Sequence, residues 1–230
     1  MAKSSALVNL YLLAYNAASA VGWGYVLYLT VSSVLAERAA GVSDWHLVAR
    51  GVWDVVSFPL KVVQTLAVLE IVHAAVGLVR SPLSSTIMQV SSRLWLVWGI
   101  NVLCPSSRFQ FGFPLMVASW GLVEVPRYAF YALNLYDAVP SFIFFLRYHL
   151  FMVLYPSGVL GEVLCMVSSL DFLRTGAYSI QMPNAHNVSV SLYVIVLIVL
   201  VVYVPGLPVM YSHMLTQRNR AYAKTKTKTA

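Results

Sequence analysis

The sequence is poor in charge. Asp, Glu, Lys and Arg together make up 10% of its 230 residues, against 60% hydrophobic ones, and the mean hydropathy is +0.75. A soluble domain carries about 25% charged residues, so this chain cannot cover a globular surface with polar groups. A soluble enzyme, a nucleic-acid module and a disordered chain are excluded. Cysteine is nearly absent: Cys104 and Cys165 form neither a CxxC nor a zinc pattern, and both read as packing residues. There is no His/Cys ligand cluster, no dinucleotide-binding glycine pattern and no internal repeat, so neither a metal nor a redox cofactor is expected. Strands alternating in segments of about 10 residues, as in a membrane β-barrel, are missing too.

What the chain has is apolar runs long enough to cross a bilayer as helices, for which about 20 residues suffice. Six are expected: Val8–Val34, Val55–Val79, Ser85–Leu103, Phe113–Leu135, Ser141–Leu170 and Val188–Tyr211. The fold class is therefore all-α, a polytopic membrane protein built as a bundle of six transmembrane helices. Residues 1–230 form a single membrane-embedded domain, of which 212–230 are a basic tail. The first block is kept as a helix because it is long, Tyr-rich and without a clear cleavage pattern. Polar loops are expected over Glu37–Asp54 and Asp171–Asn187. A kink is expected at Pro156-Ser157-Gly158 in the thirty-residue fifth block.

The net charge of +7 describes no polyanion-binding surface, because five of the fifteen basic residues (Arg218, Arg220, Lys224, Lys226 and Lys228) follow the last apolar block. Six spans put both termini on one side, with Lys3, Arg80 and these five; Arg38, Arg50, Arg108 and Arg174 lie on the other. The excess favours cytosolic termini. Lys226 and Lys228 have the spacing of a di-lysine signal for retrieval to the endoplasmic reticulum. The Asn187-Val188-Ser189 sequon abuts block six and reads as unused.

Charges retained inside spans carry the functional information, since each costs at least about 2.5–3.5 kcal/mol at the bilayer centre unless paired or hydrated. Glu70 and His73, Gln89 and Arg93, and Glu124 and Arg127 are three or four residues apart, so each pair shares a helix face. These groups serve either as structural ion pairs or as the lining of a shared interior cavity. His73 reads as hydrogen-bonded within the bundle. Block five adds Arg147 and the string Tyr155-Pro156-Ser157-Gly158-Val159-Leu160-Gly161-Glu162. Seven residues advance about 700°, so Tyr155 and Glu162 face the same way, with roughly 10.5 Å of rise between them. A phenol and a carboxyl on one face can act as an acid and base pair. Gly158 and Gly161 leave room beside them for a substrate or a neighbouring helix.

The strings LEIVHAAVGLVRSP (69–82), QVSSRLWLVWGI (89–100), WGLVEVPRYAFYALN (120–134) and LRYHLFMVLYPSGVLGE (146–162), with MPN at 182–184 and YVPG at 203–206, resemble the membrane-bound 3-hydroxyacyl-CoA dehydratase family. That family was first described as protein-tyrosine-phosphatase-like, and the pattern is nearest to its plant PASTICCINO-type members. The resemblance implies a six-helix protein of the endoplasmic reticulum that removes water from very-long-chain (3R)-3-hydroxyacyl-CoA in the third step of fatty acid elongation. It places the catalytic pair on Tyr155 and Glu162. Arg147, Gly158, Glu70, Gln89, Arg93, Glu124 and Arg127 become supporting or substrate-binding candidates. Membrane lipid, the elongase condensing enzyme, the 3-ketoacyl-CoA reductase and the enoyl-CoA reductase become the implied partners, with CoA as part of the substrate and no separate cofactor.

Either of Tyr155 and Glu162 can be the base and the other the acid: their unperturbed pKa order makes Glu the base, whereas burial raises a carboxyl pKa and a nearby Arg lowers that of a phenol. A catalytically silent elongase scaffold and a membrane transporter are the alternatives. Phosphatase chemistry is excluded, because the Arg required six residues after a nucleophilic Cys is Gln110 after Cys104 and Asp171 after Cys165.

Overall fold

The computed structural model describes residues 6–180, 182 and 189–229, with side chains described as far as Ala223. The helices are α1 (Ala6–Ala39), α2 (Trp45–Leu66), α3 (Val68–Ala75), α4 (Leu83–Leu94), α5 (Pro105–Arg108), α6 (Gly112–Asn134), α7 (Ser141–His149), α8 (Phe151–Leu173) and α9 (Leu192–Thr229), with a π-helix over Trp95–Val102. No strand occurs among the described residues; one antiparallel bridge, Ile180 to Val190, closes the α8–α9 connection. Lys3, Asn187 with Val188 of the sequon, residues 183 and 184 of MPN, and the side chains of Lys224, Lys226 and Lys228 lie outside the described residues.

Four described stretches are helical, long and apolar enough to cross a membrane: α1, α2 with α3, α8, and α9 as far as Ala223. The third and fourth blocks do not join them. Block three is divided into α4 and the π-helix, and α6 carries Glu124 and Arg127 on a helix enclosed by its neighbours.

α6 packs against α1 on one side and α8 on the other, and α2 packs on α1. The core gathers Trp23 and Val26 of α1, Val52, Val56 and Leu60 of α2, Leu96 and Ile100 of the π-helix, Met116, Val117 and Trp120 of α6, and Met166 of α8. Along α8, Val153, Leu160 and Val167 are exposed at a seven-residue spacing, which marks the stripe turned to lipid. α9 covers the other side of α8 and is itself mostly exposed, with Val196 its one fully buried described residue.

Several boundaries differ from the sequence expectation. The first loop is short: α2 begins at Trp45, ten residues before Val55, because the Asp44 side chain accepts from the His46 backbone N–H at 2.9 Å and caps the helix. Its buried residues Val48, Ala49, Val52 and Val56 recur on one face, so the polar residues between them occupy the opposite side of a helix. The interruption of block five falls at Leu150, where Leu150 itself is still right-handed helical, and Pro156 sits inside α8. The basic stretch after Tyr211 is a helical continuation of α9, not a separate tail. At 1.5 Å per residue, the 38 residues of α9 reach about 57 Å, well beyond a hydrocarbon core of about 30 Å.

Candidate active site

Tyr155 and Glu162 do share a face of α8, and that face meets α9. The Tyr155 ring lies 6.3 Å, centroid to centroid, from the ring of Tyr211. One helical stretch deeper, Tyr203 donates its hydroxyl hydrogen to Glu162 Oε2 at 2.8 Å. The other oxygen, Oε1, accepts from the indole N–H of Trp120 on α6 at 2.9 Å. Both carboxylate oxygens are thereby held by neutral donors from two different helices. Each oxygen has two lone pairs, so each keeps capacity to accept a further proton. Beside them, Ser119 and Ser157 join α6 to α8 through their hydroxyls at 2.9 Å.

The interior charges form a chain that converges on this point. Arg127 binds Glu70 through both terminal nitrogens, at 2.8 and 3.1 Å, and Glu124 Oε2 through Nε at 2.6 Å. Glu124 Oε1 is bound by Arg93, and Glu70 also accepts from Tyr128. The guanidinium of Arg93 lies 5.5 Å from the ring centroid of Trp120, whose N–H holds Glu162. Two arginines and two glutamates cancel in charge, which lets α3, α4 and α6 retain ionised groups in an apolar setting. Of the three pairs expected on single helices, Glu124 and Arg127 bind one another. Glu70 binds across to α6, and Arg93 does likewise. His73 is buried and bonds Tyr11 Oη at 2.8 Å, with Tyr11 and Tyr15 set edge-on to its ring. Gln89, one turn before Arg93 on α4, is exposed and stands outside the chain of charges.

Gly158 and Gly161 have different roles. A Cβ on Gly161 would lie 2.7 Å from the Gly112 carbonyl oxygen and 2.7 Å from the Met116 nitrogen, so its bare backbone sets the closeness of α6 and α8. A Cβ on Gly158 would meet Ser119 at 3.5 Å and Trp120 at 3.8 Å, which is ordinary contact. Arg147 points to α6, donating to Tyr131 Oη at 3.3 Å. Two residues the sequence argument did not select, Trp120 and Tyr203, are the direct partners of Glu162. Their signal was present in WGLVEVPR and YVPG, but an aromatic in a span reads as packing until its partner is known.

Cys104 and Cys165 are fully buried and unpaired as disulfides. Gln110, at the position where a phosphatase places its arginine after Cys104, donates to Cys165 Sγ at 3.4 Å instead. Both thiols pack inside the bundle, as their lack of a motif suggests, and that of Cys165 accepts a hydrogen bond there.

Residues 64–224 match the family model described as "Protein tyrosine phosphatase-like protein, PTPLA". The chain is 42% identical over 215 residues to the very-long-chain (3R)-3-hydroxyacyl-CoA dehydratase hpo-8 of Caenorhabditis elegans, covering 93% of this chain and 94% of that protein. It is 40% identical to the dehydratase PASTICCINO 2 of Arabidopsis thaliana, covering 96% and 97%. It is 36% identical to the human very-long-chain (3R)-3-hydroxyacyl-CoA dehydratase 2, covering 96% and 84%. No solved structure matches. With the family model and near-full-length relatives in agreement, the chain belongs to the protein tyrosine phosphatase-like, PTPLA, family.

Proposed function

We propose that this protein is a very-long-chain (3R)-3-hydroxyacyl-CoA dehydratase, a hydro-lyase, with Tyr155 and Glu162 as its catalytic pair. The observation that carries the assignment of the site is the fixed Glu162 carboxyl, held at both oxygens on the same α8 face as Tyr155. Dehydration requires one proton removed from C2, next to the thioester, and one given to the hydroxyl at C3. Glu162, accepting at both oxygens, is suited to take the C2 proton. The Tyr155 phenol then gives its proton to the C3 hydroxyl, the C3–O bond breaks, water leaves and the C2–C3 double bond forms. Proton return from Glu162 to Tyr155, directly or through water, resets the site. The reaction moves protons without net oxidation and calls for no redox group.

The same reading extends to the surroundings of the site. α4 with the π-helix and α6 complete six crossings: the 23 residues of α6 reach about 34 Å, enough to span, and its modest hydropathy reflects enclosure by protein. The molecule is a single membrane domain of the endoplasmic reticulum with both termini cytosolic, Lys226 and Lys228 forming a retrieval signal. Gly158 gives the acyl chain room at the site, and Glu70, Arg93, Glu124 and Arg127 hold the helices that carry it. The elongase condensing enzyme, the 3-ketoacyl-CoA reductase and the enoyl-CoA reductase supply its substrate and remove its product.

The test is enoyl-CoA formation by purified protein from a (3R)-3-hydroxyacyl-CoA, with Tyr155→Phe and Glu162→Gln made separately. General acid–base roles predict losses of about 10²–10⁴-fold in turnover for each. Near-normal turnover in either variant removes that residue from the mechanism. Binding without turnover in the unaltered protein supports the scaffold alternative.

A further inference from the structure

The junction of α7 and α8 carries cations that the proton-transfer site does not use: Arg147 and His149 stand in the last turn of α7. On one side of α7, Arg147 reaches α6; among the described residues its one side-chain hydrogen bond is the 3.3 Å contact to Tyr131, and its buried Nε has no hydrogen-bond partner. On the side towards α9, His149 Nε2 accepts from Arg218, at 2.9 Å from Nη2 and 3.3 Å from Nε. An arginine can only donate, so Nε2 is the accepting nitrogen and Nδ1 carries the proton towards the Phe145 carbonyl oxygen, 3.0 Å away. His149 therefore fixes the direction of Arg218 without neutralising it. Phe144 and Tyr222 pack edge to face between the two helices, at 5.2 Å, and the guanidinium of Arg218 lies 5.3 Å from the Tyr222 ring. Among the described residues, the ion pairs engage Glu70, Glu124 and Asp171, and none involves Arg147 or Arg218. Two guanidinium groups are thus held in place with no carboxylate to hold them there.

We propose that Arg147 and Arg218 form the subsite for the phosphate groups of CoA, with His149 as the positioning residue for Arg218. This rests on the dehydratase reading and locates the polar half of the substrate. The register suits it. The chain remains helical through Leu150, so from the midpoint of Tyr155 and Glu162 to His149 is about 14 Å along the helix. The pantetheine arm has about thirteen bonds between its sulfur and the first phosphorus. At the advance of about 1.2 Å per bond of an extended peptide chain, it reaches about 16 Å. A thioester seated at Tyr155 and Glu162 therefore delivers its diphosphate to the level of His149. CoA carries phosphate at two places, the diphosphate bridge and the ribose, and the α7–α8 junction offers a guanidinium on each of two sides. Arginine forks recognise phosphate bidentately, and aromatic neighbours keep them oriented.

The experiment compares two thioesters of one 3-hydroxyacyl chain, on CoA and on pantetheine without phosphates, using the full-length protein in lipid nanodiscs. Arg218→Gln and Arg147→Gln are each expected to lower the preference for the CoA thioester, measured as the ratio of kcat/KM values, by roughly tenfold, through KM. An unchanged ratio overturns the subsite. So does an equal loss on both thioesters, which assigns the arginines to packing or to lipid headgroup phosphates. Should Arg218→Gln be inactive on both, Arg218→Lys decides: a retained preference supports phosphate binding by the charge, and a lost one overturns it. Unaltered protein that dehydrates neither thioester overturns the dehydratase reading and the subsite with it, whereas turnover with an unchanged ratio overturns the subsite alone.

Discussion

Tyr203 Oη donates to Glu162 Oε2 at 2.8 Å, tying α9 to α8 at the carboxyl group proposed as the base. Tyr203→Phe keeps the ring and removes only this bond. Hydrogen bonds to charged groups contribute about 1.5–3 kcal/mol. Tyr203→Phe is therefore expected to lower kcat by about tenfold or more with KM little changed. Combined with Glu162→Gln, it should add no further loss, because the two residues act through one interaction. Additive losses in that double-mutant cycle would show that Tyr203 acts elsewhere.

Trp120 is the partner on the opposite side. Trp120→Phe leaves an aromatic face for Arg93 but no N–H for Glu162 Oε1. The expected result is a fall in kcat at near-normal thermal stability. Trp120→Leu should lose stability as well, since the cation–π contact goes with the ring. Steady-state kinetics paired with thermal unfolding in detergent separates the two effects.

Breaking the interior charge chain is a matter of stability first. Glu124 is buried and faces two arginines, so Glu124→Gln leaves two cations short of compensation. A loss of about 3–5 kcal/mol is expected, seen as a lowered unfolding midpoint. Adding Arg93→Met to Glu124→Gln removes one of the stranded cations and should recover part of the loss. A midpoint for Glu124→Gln equal to that of the unaltered protein would mean that the chain contributes nothing to holding α4 and α6 together.

The two glycines of α8 should separate cleanly. Gly161→Ala forces a methyl group to within 2.7 Å of α6 backbone atoms and is expected to cost about 1–3 kcal/mol. Gly158→Ala meets only side chains at van der Waals distance and should fold like the unaltered protein. A drop in activity of Gly158→Ala at normal stability would place the substrate at that surface.

The family description names a phosphatase, yet both thiols are buried and the position six residues after each holds Gln110 or Asp171 instead of arginine. Replacing Cys104 and Cys165 by Ala is expected to leave dehydratase turnover close to normal. A large loss, with the protein still folded, would contradict their assignment as packing residues.

How much of this was legible beforehand depended on whether a signal was local. The spacing of Tyr155 and Glu162 placed them on one face because helical periodicity needs no partner to be read, and α9 indeed meets that face at Tyr203 and Tyr211. The pairing of Glu124 with Arg127 on one helix was legible, but the pairing across helices was not: Glu70 sits three residues from His73 and binds Arg127, fifty-seven residues away. Sequence spacing favours neighbours on one helix, whereas the low dielectric of the interior favours whichever opposite charge the fold brings close. The start of α2 was obscured by Arg50 and Asp54, polar residues that simply occupy its outer side. The continuation of α9 through the basic residues was hidden for the same reason, since charge ends a span without ending a helix.

Pro205 and Pro208 lie in α9 between Tyr203, which holds Glu162, and Arg218, which His149 orients. Each proline withholds a backbone donor, so this stretch is the least stiff part of an otherwise continuous rod. The inner half of α9 can stay fastened to the reacting centre while the outer half pivots away from α7. One helix can then act as a fixed wall for the chemistry and a swinging arm for the exchange of substrate and product, with the joint two residues past the wall.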